Sequence, residues 1–163
     1  MAILSRRTGV LVAVACSLAA PARAEPRSVE EIAKVAKASV VTIRFSGRGG
    51  GDEGLGTGFV VGEGLVATNL HVIGEARPIT VELADGTTHA ATHVHATDRD
   101  ADLAILRIAA AGLTSLPLGI AAPLADGQEI VAIGNPHGLE RSVVAGRVSG
   151  LREMEGIDMI QLA

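Results

Sequence analysis

The run Gly56-Thr57-Gly58-Phe59-Val60-Val61, the turn Gly62-Glu63-Gly64 and the run Ala67-Thr68-Asn69-Leu70-His71-Val72-Ile73 constrain the fold more than any other stretch. Two short apolar segments joined by a glycine turn are too brief for helices and read as paired strands. The second ends in a single histidine set among small polar residues. The chain holds 20 glycines, two phenylalanines and no tryptophan or tyrosine, so its core has to come from Val, Ile, Leu and Ala between tight turns. That balance favours a β-rich fold.

Further strands follow the same rule. Residues 39–45 alternate as a strand, residues 79–83 and 89–97 flank an Ala84-Asp85-Gly86-Thr87 turn, and residues 103–108 form an apolar run directly after Asp102. Asp-Gly between two such runs is a hairpin signal. A second group comprises residues 129–133, 142–151 and 157–162, with Gly134-Asn135-Pro136-His137-Gly138 as a turn and Pro117 and Pro123 in the loop before it. One short helix is expected at the start, where Ser28 can cap and Glu31 can complete a capping box ahead of an apolar stripe through Val29, Ile32, Ala33, Val35 and Ala36. Five glycines lie between Ser46 and Gly56, and this segment reads as a surface loop. It is not a phosphate cradle, since no Gly-Lys-Ser/Thr and no helix follow.

The N-terminal residues read as an export signal. Arg6 and Arg7 form a basic region, residues 9–20 an apolar stretch, and Ala22-Arg23-Ala24 an A-x-A cleavage site, which places the mature start near Glu25. The apolar stretch is shorter than the ~20 residues of a membrane span. Ser5-Arg6-Arg7 also offers a twin-arginine pair whose following apolar residues are only partly present, so the export route stays open. Cleavage removes three of the 14 basic residues and none of the 18 acidic ones, giving a formal charge of −7. Nucleic acid is excluded as a natural partner by that balance. Cys16, the one cysteine, follows Val14-Ala15 as a lipid-attachment site would, but is read as lost with the signal, and on that reading neither a disulfide nor a thiol nucleophile is expected.

For chemistry, His71 and Asp102 are the candidate pair: imidazole accepts and returns protons near neutrality, and a carboxylate fixes its tautomer and stabilises the imidazolium. His89, His93 and His95 invite a zinc reading, but neither a cysteine nor patterned carboxylates complete a four-ligand set, and they read as solvent-facing strand residues. No cofactor or metal is expected.

At these residues the chain resembles the trypsin-like serine proteases, most closely the exported HtrA/Deg class. The matching segments run in one order: Ser39-Val40-Val41-Thr42-Ile43, Gly56-Thr57-Gly58-Phe59, Thr68-Asn69-Leu70-His71-Val72-Ile73, Asp98 with Asp102-Leu103-Ala104, and Leu116-Pro117-Leu118-Gly119. Gly127-Gln128, Ile133-Gly134-Asn135-Pro136-His137-Gly138 and Val144-Ala145-Gly146-Arg147-Val148-Ser149 follow. The resemblance implies an all-β fold, a trypsin-like double β-barrel with the first barrel complete and the second truncated. Its parts would be a signal peptide over residues 1–24, an N-terminal helical segment over 25–38, the first barrel over 39–112 and the start of the second over 113–163.

It further implies that His71 is the general base and Asp102 its orienting acid. Asp98 and Asp100 compete for that second role, but Asp102 alone immediately precedes the Leu-Ala strand. The family's Gly-Asn-Ser-Gly-Gly segment, with its nucleophile and oxyanion-hole amides, does not occur in these 163 residues. Ser115, Ser142 and Ser149 stand in no Gly-x-Ser-Gly elbow. The expectation is therefore a protease portion, inactive by itself, whose incomplete second barrel exposes strand edges and apolar faces. Unfolded or damaged proteins are the implied substrates, and trimers the common assembly of the class. A catalytically dead module that holds clients without cutting them is the competing reading.

Overall fold

A computed structural model describes residues 27–46, 53–74, 78–119, 124–134, 141–154 and 157–163. The expected signal sequence, most of the glycine-rich segment and the turn holding Asn135, Pro136, His137 and Gly138 lie outside them. The elements in chain order are α1 (Val29–Ala36), β1 (Val40–Ser46), β2 (Glu53–Gly62), β3 (Leu65–Asn69), α2 (Leu70–Ile73), β4 (Ile79–Glu82), β5 (Thr88–Asp98), β6 (Leu103–Ile108), β7 (Glu129–Gly134), β8 (Ser142–Met154) and β9 (Ile157–Leu162).

Strands β1 to β6 close into an antiparallel barrel in the order β1-β2-β3-β6-β5-β4, sealed where Phe45 of β1 lies opposite Ile79 of β4. Closure leaves no edge in this unit. Alternation decides which side chains point inwards: Val41 and Ile43 from β1, Ile79 and Val81 from β4, and Ala104, Leu106 and Ile108 from β6 are all buried. Val60 and Val66 fill the same core. Small and β-branched side chains suffice for so narrow a barrel, which is why the chain can dispense with aromatic bulk.

The turns follow the glycine chemistry. Gly64 adopts φ +64° and its carbonyl accepts from Ile108 N–H at 2.9 Å, tying the β2–β3 turn to the end of β6. At the β4–β5 hairpin Gly86 has φ +85°, and the Asp85 carboxylate accepts from the Thr87 backbone (2.9 Å) and hydroxyl (2.7 Å). At α1 the reciprocal capping box forms, Ser28 N–H donating to Glu31 at 2.8 Å and Glu31 N–H to the Ser28 hydroxyl at 3.2 Å.

Part of the expected glycine loop is strand. Glu53, Gly54, Leu55 and Gly56 pair with residues 43–46 of β1. The reason is packing: the Phe45 ring occupies the space where a side chain at Gly54 would sit, so these glycines admit neighbours from the facing elements.

Beyond the barrel, Leu116 N–H donates to Val60 O at 2.8 Å, laying the connecting segment along β2. Strands β7, β8 and β9 make a three-stranded antiparallel sheet, with α1 packed on β7. Val148 of β8 is buried, whereas Val144, Ile160 and Leu162 are at least half exposed on this sheet. The architecture is a complete first barrel and a partial second one, as the resemblance implied. Among the described residues, no helix is long and apolar enough to cross a membrane.

Candidate active site

The site is built where β3 passes into α2 beside the turn that enters β6. Thr68, almost wholly buried, donates its hydroxyl to Thr57 O at 2.7 Å and locks the end of β3 to β2. Asn69 is extended (φ −74°, ψ 144°) and serves as the N-cap residue of α2. His71 was expected at a strand end and instead occupies this short helix.

Two contacts explain the change. Leu70 N–H donates to Asp102 O at 2.9 Å, and His71 N–H donates to Asp102 Oδ1 at 2.8 Å. The first helical N–H groups have no partners within the helix, and Asp102 satisfies two of them from the turn that enters the neighbouring strand β6. Val72 then packs into the space left by the missing side chain of Gly56.

Asp102 itself has φ +49°, a left-handed conformation uncommon outside glycine. The preceding turn holds it there: Ala101 N–H donates to Asp98 Oδ1 at 3.0 Å and Asp102 N–H to Arg99 O at 3.3 Å. Asp98 is thereby engaged in shaping the turn, and Asp100 is exposed on it. Of the three candidate acids, the structure brings Asp102 to the histidine. His71 Nδ1 lies 2.5 Å from Asp102 Oδ2, and Asn69 Nδ2 donates to the same oxygen at 3.2 Å.

This surrounding of donors holds the Asp102 carboxyl below the ordinary carboxylate value. The largest cause is the His71 backbone N–H, followed by the His71 imidazole, with the Asn69 amide contributing less. Asp102 is therefore ionised wherever a protein normally works. An ionised acceptor at Nδ1 selects the tautomer that leaves Nε2 free to take a proton. The imidazole side chain is 71% exposed, so a reactant can reach it.

The remaining sequence candidates lie elsewhere. His93 and His95 are exposed on β5 with ring centroids 6.2 Å apart, while His89 is partly buried opposite Val81. Among the described residues, no three metal-ligating side chains converge. Ser115 and Ser149 are exposed, and Ser142 opens β8 opposite Gly134. Asn69 received no role from the sequence, although an Asn between a strand pattern and a histidine is a signal for an N-cap.

The family model of the trypsin-like peptidase domain matches residues 56–163, more than half of the chain. The chain belongs to the trypsin-like peptidase family. Among curated proteins, the chloroplastic protease Do-like 1 of Arabidopsis thaliana is 46% identical over 103 residues, covering 61% of this chain and 23% of that protein. Mitochondrial serine protease HTRA2 of Bos taurus is 43% identical over 96 residues (58% and 21%). A probable periplasmic serine endoprotease, DegP-like, of Halomonas elongata is 42% identical over 98 residues (60% and 20%). This peptidase-family chain thus aligns with less than a quarter of each of these relatives. Among solved structures, the HtrA-type protease AlgW with tripeptide superposes with a TM-score of 0.75 at 30% identity, covering 83% of this chain and 46% of that one.

Proposed function

We propose that this chain supplies the base-and-orienter half of an exported serine endopeptidase of the HtrA/Deg class, acting on unfolded or damaged proteins in the periplasm or outside the cell. The observation that carries the reading is the 2.5 Å contact between His71 Nδ1 and Asp102 Oδ2 on an accessible imidazole. His71 takes the proton from an attacking serine hydroxyl and returns it to the leaving amine. Asp102 keeps the tautomer and offsets the imidazolium charge.

Peptide hydrolysis by this route also needs a nucleophile and an oxyanion hole. These 163 residues contain no Gly-x-Ser-Gly elbow, so alone they are read as inactive. The HtrA/DegP relatives support the class, and the signal-like residues 1–24 and the periplasmic name of one relative support export, while an oligomer has only the resemblance behind it, residues 28–38 holding no aromatic side chain to anchor a trimer.

A chimera tests the reading. Residues 25–163 are joined to the part of bovine HTRA2 that follows its matched region, and hydrolysis of unfolded casein is measured. The chimera is expected to cleave, and its His71→Ala form to lose roughly 1000-fold or more in rate. A His71→Ala chimera as active as its parent would show that the proton acceptor lies elsewhere.

A further inference from the structure

An N-cap asparagine ordinarily turns its side-chain oxygen onto the N–H groups of its own helix. Asn69 does not: α2 carries no side-chain cap hydrogen bond from it. Its amide reaches across to β6 instead, where Nδ2 donates at 3.2 Å to Asp102 O and at 3.2 Å to Asp102 Oδ2. Both targets accept only, so the NH2 end of the amide has to face them whatever the direction of assignment.

These two bonds act on different things. The bond to the carbonyl joins Leu70 N–H in holding the Asp102 backbone at φ +49°, a left-handed conformation that aspartate adopts more readily than most residues but at some cost. The bond to Oδ2 fixes the carboxylate rotation at the very oxygen that faces His71 Nδ1. The helix, meanwhile, takes its cap from Asp102 Oδ1. Asparagine and aspartate have exchanged duties between the neighbouring strands β3 and β6, and a residue spent in this way gives up its usual capping contribution.

We infer that Asn69 is a positioning residue for the His71–Asp102 pair, acting through Asp102 and holding the orientation that keeps the proton on His71 Nδ1. The inference rests on the proposed base-and-orienter role and adds to it the group that orients the orienter. With 41% of its side chain exposed, the Asp102 carboxylate is also open to water, and the Asn69 bond adds to the two His71 contacts that hold its rotation.

The test is the tautomer of His71, read from the 15N shifts of its two ring nitrogens in the full chain at a pH where the ring is neutral. Wild type is expected to hold the Nδ1–H form. Asn69→Ala and Asn69→Ser are both expected to shift the Nδ1–H to Nε2–H ratio by roughly threefold to tenfold towards Nε2–H, less than the tenfold or more of a whole lost bond to a charged group because Asn69 acts on the ring only through Asp102. The serine variant matters because serine caps helices well yet is too short to reach Asp102, so it separates capping from positioning. Asp102→Asn is the reference and should abolish the preference. If Asp102→Asn leaves the ratio unchanged, the base-and-orienter reading itself fails. If Asp102→Asn changes it and neither Asn69 variant does, only the role of Asn69 is overturned. Loss of the folded spectrum in both Asn69 variants also overturns it, by showing that the residue serves folding.

Discussion

Gly56→Ala tests the link between barrel packing and the position of His71. Gly56 is buried in β2, paired with Ile43, and its missing side chain is where Val72 sits. An added Cβ would overlap Val72 Cγ1 and stand 3.1 Å from Cγ2 and 3.2 Å from Cβ. Carbon atoms rest about 3.5–4.0 Å apart, so turning Val72 about χ1 cannot clear the clash, because its own Cβ remains roughly 0.5 Å too near. The α2 backbone has to retreat. Val72 adjoins His71, and a displacement of that size would stretch the 2.5 Å contact between His71 and Asp102 to about 3 Å, close to the roughly 3.2 Å limit of hydrogen-bond geometry.

Overpacking of this kind costs about 1–3 kcal/mol, a fall in melting temperature of roughly 2–12 °C. Val72→Ala alone loses two partly buried methyl groups, about 1–1.5 kcal/mol. In the double variant the overlap with Cγ1 is gone while the Cβ at position 72 still stands 3.2 Å from the new one, so the combined loss should be clearly smaller than the sum of the two single losses without falling to that of Val72→Ala alone. Thermal unfolding followed by circular dichroism across the four proteins measures the cycle. A Gly56→Ala protein melting within a degree of wild type, or two losses that simply add, would refute the packing argument.

Other outcomes follow from the same structure. Leu106→Ala, at a fully buried barrel position, should cost about 2–5 kcal/mol in urea unfolding, against less than about 1 kcal/mol for Leu103→Ala, which is 40% exposed on the same strand. Ser28→Ala removes the reciprocal cap of α1 and should cost about 1 kcal/mol by the same measurement. Asp102 has a carboxyl held below its ordinary value of 3.8, so its stabilisation is full above that pH and is lost as pH falls through the lower folded value. Asp102→Asn should therefore be less stable than wild type at neutral pH, with the difference shrinking on acidification below about 3.8, as urea midpoints across a pH series would show. A gap that widens in acid would contradict the ionised pairing.

Much of the barrel is legible because its strands alternate and its turns use glycine where φ is positive. The Asp85-Gly86 hairpin, the Ser28–Glu31 cap and the strand after Asp102 can all be read from adjacent residues. What escapes is decided by groups distant in sequence. Gly54 reads as loop until Phe45 is seen in the space it leaves, and nothing local shows that Gly56 makes room for Val72. Likewise the helix at His71 depends on Asp102, 31 residues further on, and no local pattern announces a cap supplied from another strand.

That distant cap also explains why the pair is tied to the fold. One aspartate presents its carbonyl to Leu70, one carboxylate oxygen to the His71 backbone and the other to the His71 ring. Structural and chemical contacts therefore share a single side chain, and the helix cannot form in this place without bringing the imidazole to its acid. The geometry is set by pairing of β3 with β6, where Asn69 lies opposite Leu103, immediately after Asp102. A slip of one residue in that register would turn the alternating side chains to the opposite face and separate the two groups. Val66 and Thr68 on β3, buried opposite the buried Leu106 and Ala104 of β6, resist such a slip, so the packed core keeps His71 and Asp102 in contact.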